Sequence, residues 1–148
     1  MDFIDEKDMR QAMLDRLKCY KECVVFEEYT VSTGKSRADI LAVNGHVVAY
    51  EIKSDFDSVT RLEGQIAEYD MHFEMNYIVV GHKLFNKVSH MVPAHWGIIL
   101  CERDHKKQIQ LKFIRRAILN PNLSLDRFLA LVSATEVKKI ALCNQNKG

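Results

Sequence analysis

The residues best placed to do chemistry are Asp39, Glu51 and Lys53, within "ADILAVNGHVVAYEIK". Side chains two apart on a strand point the same way, so Glu51 and Lys53 share a face and Ile52 takes the other. Burying charge without a partner costs several kcal/mol. A carboxylate and an ammonium on an otherwise apolar strand therefore want an explanation. One is an ion pair at an exposed strand end. The other is a divalent metal site, in which carboxylates hold Mg2+ or Mn2+. There the ammonium orients an attacking water or offsets charge that develops on phosphate.

Asp39 begins the preceding strand, and Asn44-Gly45 between the two strands is a strong hairpin signal. Folding the chain there returns residue 51 to the neighbourhood of residue 39. Two carboxylates that close repel each other unless a cation sits between them, and Mg2+ is the natural filler. Parity adds a condition. A loop made only of Asn44 and Gly45 pairs 39 with 50, which sends Asp39 and Glu51 to opposite faces. The site needs an odd-length loop or a bulge, and a three-residue Val43-Asn44-Gly45 loop supplies it.

The elements that must position these groups follow from periodicity. Residues 5–20 read as a helix, with Met9, Met13, Leu14 and Leu17 at helical spacing. Cys23–Val31 reads as a strand, "STGKS" as a loop, and "ADILAV" and "HVVAYEIK" as the hairpin. Leu62, Ile66, Tyr69 and Phe73 mark a second helix, capped at Asp57 or Ser58. Asn76–Gly81 is a short buried strand, reached by a crossover and so parallel to the Glu51 strand. A short helix over Lys83–Met91, strands "WGIILCE" and "QIQLKFI", and a helical tail from Ser124 complete the chain. In the tail Leu125, Phe128, Leu129, Leu131 and Val132 are expected to face the core. A break is expected near Ser133–Thr135, with a restart through Val137 and Ile140. The expectation is an α/β sandwich around a mixed central sheet. It forms one domain over 1–148, with a core at 5–81 and an extension of the same domain at 82–148.

Asp39 followed by Glu51-x-Lys53, on a hairpin between two helices, resembles the PD-(D/E)xK nuclease superfamily. That superfamily shares a restriction-endonuclease-like αβββαβ core, the order read for residues 5–80. Ala38 stands where the motif's proline would be. Gln65 and Tyr69, four apart on one helical face, look like the QxxxY motif of its RecB-like branch. The resemblance implies a small bacterial or phage member: a Mg2+- or Mn2+-dependent deoxyribonuclease hydrolysing phosphodiester bonds, in repair, recombination or phage DNA processing. By that resemblance Asp39, Glu51 and the Ile52 carbonyl hold the metal, and Lys53 orients water. Gln65 and Tyr69 help bind DNA.

Other residues extend the site. Glu28 is the preferred further acid, over Glu6 and Glu27. Arg61 continues the Gln65–Tyr69 stripe toward phosphate or a base. Lys35 and Arg37 flank Asp39 and reach the same phosphates. The bland alternatives are that Tyr69 is core and that Arg61, Lys35 and Arg37 are solvated charges. Two rival functions remain open: an inactive nucleic-acid-binding or scaffold protein of the same fold, and an RNA-cleaving nuclease.

Charge distribution is compatible with nucleic acid. Residues 1–88 carry 11 Lys+Arg against 16 Asp+Glu, and residues 89–148 carry 10 against 4, so the last third is basic. Cys19, Cys23, Cys101 and Cys143 lack the short knuckle spacing of a zinc site and read as free thiols. No apolar run approaches the ~20 residues of a membrane span, and the acidic start does not read as a secretory signal. The expected setting is cytoplasmic, with DNA as partner and no membrane. A homodimer is the simplest way for a one-site enzyme to cut both strands.

Overall fold

The computed structural model describes residues 2–31 and 37–133. They form an α/β structure with a mixed six-stranded sheet and four helices. Helix α1 (Glu6–Leu17) comes first, then β1 (Val24–Thr30), β2 (Arg37–Val43) and β3 (Val47–Lys53). Helix α2 (Leu62–His72) and β4 (Met75–Gly81) follow. Helix α3 (Phe85–Met91), β5 (Gly97–Arg103), β6 (Ile109–Arg115) and α4 (Leu125–Ser133) close the described chain. The strands lie in sequence order from β1 to β6. β1–β2, β2–β3 and β5–β6 pair antiparallel, while β3–β4 and β4–β5 pair parallel across the α2 and α3 crossovers.

Each sheet face has its own core. On one, Leu41, Val43, Ala49, Ile78 and Val80 pack with Leu62 and Tyr69 of α2, with Phe73 just past its end and with Trp96. On the other, Ile40, Tyr50, Ile52, Val79 and Ile99 pack with Met9, Met13 and Leu17 of α1. All seven residues of β3 are buried, as befits a strand covered on both faces.

Several boundaries differ from the sequence reading, each for a local reason. Helix α1 stops at Leu17. Helix α2 starts at Leu62 behind Arg61, not behind Asp57 or Ser58. The Asp57 carboxylate is spent on a turn, accepting the Ser54 N–H at 2.7 Å. In α4, Leu131 is buried and Phe128 and Val132 pack on the core. Leu125 and Leu129 are 67% and 49% exposed, contrary to expectation. The restart through Val137 and Ile140 lies outside the described residues, as does Cys143. Cys19, Cys23 and Cys101 are free thiols. Among the described residues no helix is long and apolar enough to cross a membrane.

Candidate functional site

The hairpin loop sets the site. Val43 pairs with Val47, so the loop is the three residues Asn44, Gly45 and His46, one position later than expected. Gly45 sits at φ +96, a conformation that suits glycine. Ile40 pairs with Tyr50, and the same register carries Asp39 opposite Glu51. The odd loop length thus turns both carboxylates toward the α2 face.

The pair is held by few groups. Asp39 Oδ2 accepts the Ile52 N–H at 2.8 Å. Glu51 Oε2 accepts the Tyr69 O–H at 2.5 Å, and Lys53 Nζ lies 3.5 Å from Glu51 Oε1. The Tyr69 oxygen in turn accepts the Asp39 N–H at 3.2 Å. Glu51 and Lys53 are both buried. Burial, then the neighbouring Asp39 charge, pushes the Glu51 carboxyl up to about 7, against the opposing Tyr69 hydrogen bond and Lys53 charge. Asp39 is also raised, first by burial, with the Ile52 N–H working the other way. The two acids titrate as a pair and share a proton more readily than they carry two charges. Burial, then the Glu51 charge, raises the Tyr69 hydroxyl as well, so it acts as a fixed donor.

An open pocket of about 450 Å³ lies over this pair, lined by Arg37, Asp39, Glu51, Arg61, Gln65 and Tyr69, with Gly64 and Glu68 beside them. Arg61 and Arg37 are exposed, and Arg37 Nε meets Glu28 Oε2 at 2.9 Å. The Gln65 amide oxygen is buried and makes no hydrogen bond among the described residues. The expected stripe of Arg61, Gln65 and Tyr69 therefore does line one cavity. Tyr69 itself points inward, packed on Phe73 and Trp96, with its hydroxyl committed to Glu51.

The remaining candidates are arranged differently. Ile52 presents its N–H to Asp39, and its side chain joins the α1-side core. Glu28 is near enough to raise Asp39, but its carboxylate is taken by Arg10 at 2.6 Å and by Arg37. Lys35 lies outside the described residues. Among the described residues no group of three or more His, Cys, Asp or Glu side chains is placed to hold a metal ion. Arg10 is the physical reason on the β1 side. It pairs with Glu6, Glu27 and Glu28 and donates to the Asp39 carbonyl at 2.9 Å. Nothing in the reading of the strands pointed to Arg10. Its spacing from Glu6, four residues on one helix, was the available signal.

A second polar cluster also escaped notice. Asp70 of α2 is buried and accepts the Trp96 indole N–H at 2.7 Å, with His95 Nε2 at 3.0 Å. Asn120 donates to the backbone carbonyls of Asp70 and Phe73 at 2.6 and 3.1 Å, tying the segment before α4 to helix α2.

Comparison with known proteins reassigns the chain. The family described as "Bacteriophage P4 protein cII" matches residues 1–148. A curated relative, "Protein cII" of Enterobacteria phage P4, is 28% identical over 144 residues, covering 94% of this chain and 53% of its own length. The chain thus spans about half the length of the curated relative it matches. No solved structure matches. The whole-chain match overturns the PD-(D/E)xK assignment, and with it the readings as nuclease, hydrolase and Mg-dependent deoxyribonuclease. The D…ExK and QxxxY spacings are too short to outweigh a match along the entire sequence.

Proposed function

Because the chain belongs to the bacteriophage P4 protein cII family, we propose that it is a phage regulatory protein that acts by binding DNA and leaves it intact. The observation that carries this reading is the pocket over the Asp39–Glu51 pair, with the exposed guanidinium groups of Arg37 and Arg61 at its walls. Guanidinium groups bind phosphate oxygens through paired N–H donors. Gln65 adds an amide with unspent hydrogen-bonding capacity. Such contacts position a nucleic acid without reading its sequence.

Mg2+, or Mn2+, belongs to the same proposal as a bridge. Mg2+ is commonly held by one or two carboxylates together with ligand phosphates, and Asp39 and Glu51 supply that number. Lys53 and the Tyr69 hydroxyl keep Glu51 in place whether the pair holds a proton or a cation. A restriction-endonuclease-like arrangement is likewise a proposal about architecture only. It is supported by the αβββαβ order of Glu6–Gly81 and carries no hydrolysis with it.

Fluorescence anisotropy of labelled DNA, with Mg2+ and with EDTA, tests the reading, followed by electrophoresis of the same samples. The expected result is binding that weakens in Arg61→Ala and Gln65→Ala, with the DNA recovered at full length. Affinity unchanged in both variants would remove the pocket from DNA binding.

A further inference from the structure

At the carboxyl ends of β3 and β4, two large aromatic side chains stay in the open. Phe3 is 48% exposed and Phe56 is 67% exposed. Their rings meet edge to face, with centroids 5.6 Å apart and planes at 79°. The Lys83 ammonium lies 5.3 Å from the Phe3 ring centre, and the His82 ring is 5.7 Å away.

These rings are mounted on a rigid base. Asp55 is fully buried, and its carboxylate accepts the N–H of Ile4 at 2.9 Å and of Lys83 at 3.0 Å. The Asp55 N–H returns a bond to the Ile4 carbonyl at 3.2 Å, and the Phe56 N–H is held by Ser54 Oγ at 3.2 Å. Gly81 keeps the space for this carboxylate, since a Cβ there would lie 2.2 Å from Asp55 Oδ1. Phe3 precedes Ile4, Phe56 follows Asp55, and Lys83 is itself bonded to Asp55. One buried acid thus anchors the backbone beside both rings and at Lys83. Anchoring the backbone that carries exposed aromatic side chains lowers the ordering cost of whatever stacks on them.

We propose that Phe56 and Phe3, flanked by Lys83, form a stacking platform for the bases of single-stranded DNA whose phosphates enter the Arg61 pocket. This rests on the DNA-binding reading above and names its ligand class. The two sites share one loop: Phe56 is three residues past Lys53, a reach of at most about 11 Å, and the same loop ends at Arg61. A duplex hides the faces of its bases within its own stack, whereas a single strand offers them to aromatic side chains. The Lys83 ammonium beside the rings, with Arg61 at the end of the same loop, suits a polyanion better than an apolar protein partner.

The test uses the full chain with two probes, a labelled thymidine oligonucleotide and a duplex of equal length. Phe56→Ala weakens oligonucleotide binding about tenfold and leaves duplex binding within about twofold, as expected for loss of one base stack. Phe56→Trp retains affinity, and its exposed indole is quenched by the oligonucleotide, a signal the buried Trp96 does not give. Urea melts show Phe56→Ala as stable as wild type, because the ring is exposed. Oligonucleotide affinity unchanged in Phe56→Ala, while Arg61→Ala still weakens binding, would overturn the platform and spare the pocket. A change in sedimentation of Phe56→Ala with unchanged affinity would assign the rings to a second copy of the chain and overturn it equally. Binding of neither probe by wild type would overturn both proposals.

Discussion

Asp70 of helix α2 and Glu51 of β3 are both buried, at 7% and 3% exposure, yet their surroundings differ in kind. Asp70 is surrounded by donors: the Trp96 indole, the His95 ring, and the Asn76 amide at 3.4 Å. Glu51 meets one hydroxyl, one ammonium at 3.5 Å, and a second carboxyl. The first acid is answered by its neighbours and works as a structural rivet. The second is left partly unanswered, beside a pocket open to solvent. Buried polar groups that a fold leaves in conflict are where a ligand has something to offer.

Mutation separates the two regions, beginning with the larger effect. Asp70→Ala strands the Trp96 and His95 donors inside the core and lowers stability by about 3 kcal/mol in urea denaturation. Glu51→Gln acts on the second region. It removes one of two crowded acids and keeps an acceptor for Tyr69, but also takes the counter-charge from buried Lys53, so its distinguishing effect is on the pH profile. The sign follows from the raised carboxyl. The folded protein holds a proton that the unfolded chain has already released between the ordinary value of 4.5 and about 7. Wild-type stability is therefore greatest below that window and falls as pH rises through it, and the raised Asp39 acts in the same sense. Urea melts across this window should show the fall in wild type and a flatter profile in Glu51→Gln.

Smaller effects sharpen the contrast. Tyr69→Phe deletes the donor to Glu51 and the acceptor of the Asp39 N–H, costing about 1 kcal/mol. It also drives the Glu51 carboxyl further up, visible as a shift of the pH-dependent fall to higher pH. Arg37→Ala breaks an exposed pair with Glu28 and changes stability by less than about 0.5 kcal/mol. Its effect belongs in DNA affinity.

Much of this arrangement was legible beforehand. Alternation and the Asn44-Gly45 turn located the hairpin, and parity required the odd loop that the fold contains. Helical spacing placed Arg61, Gln65 and Tyr69 on one cavity. What periodicity cannot tell is which way a side chain on a shared face is spent. Tyr69 turned inward because a buried Glu51 needs its O–H. Asp57 went to a loop turn, so α2 began later than its apolar pattern suggested. Arg10 reaches Asp39 from 29 residues away, a distance at which no local pattern informs. Function was the least legible part. Five residues at suggestive spacings resembled one superfamily, while the match over residues 1–148 is to the bacteriophage P4 protein cII family.

The most direct measurement is the salt dependence of DNA affinity for wild type and Arg61→Ala. A phosphate contact at Arg61 predicts weaker binding in the variant and a slope of log affinity against log salt reduced by about 1. Superimposable lines for the two proteins would contradict the account, because Arg61 would then contact no phosphate.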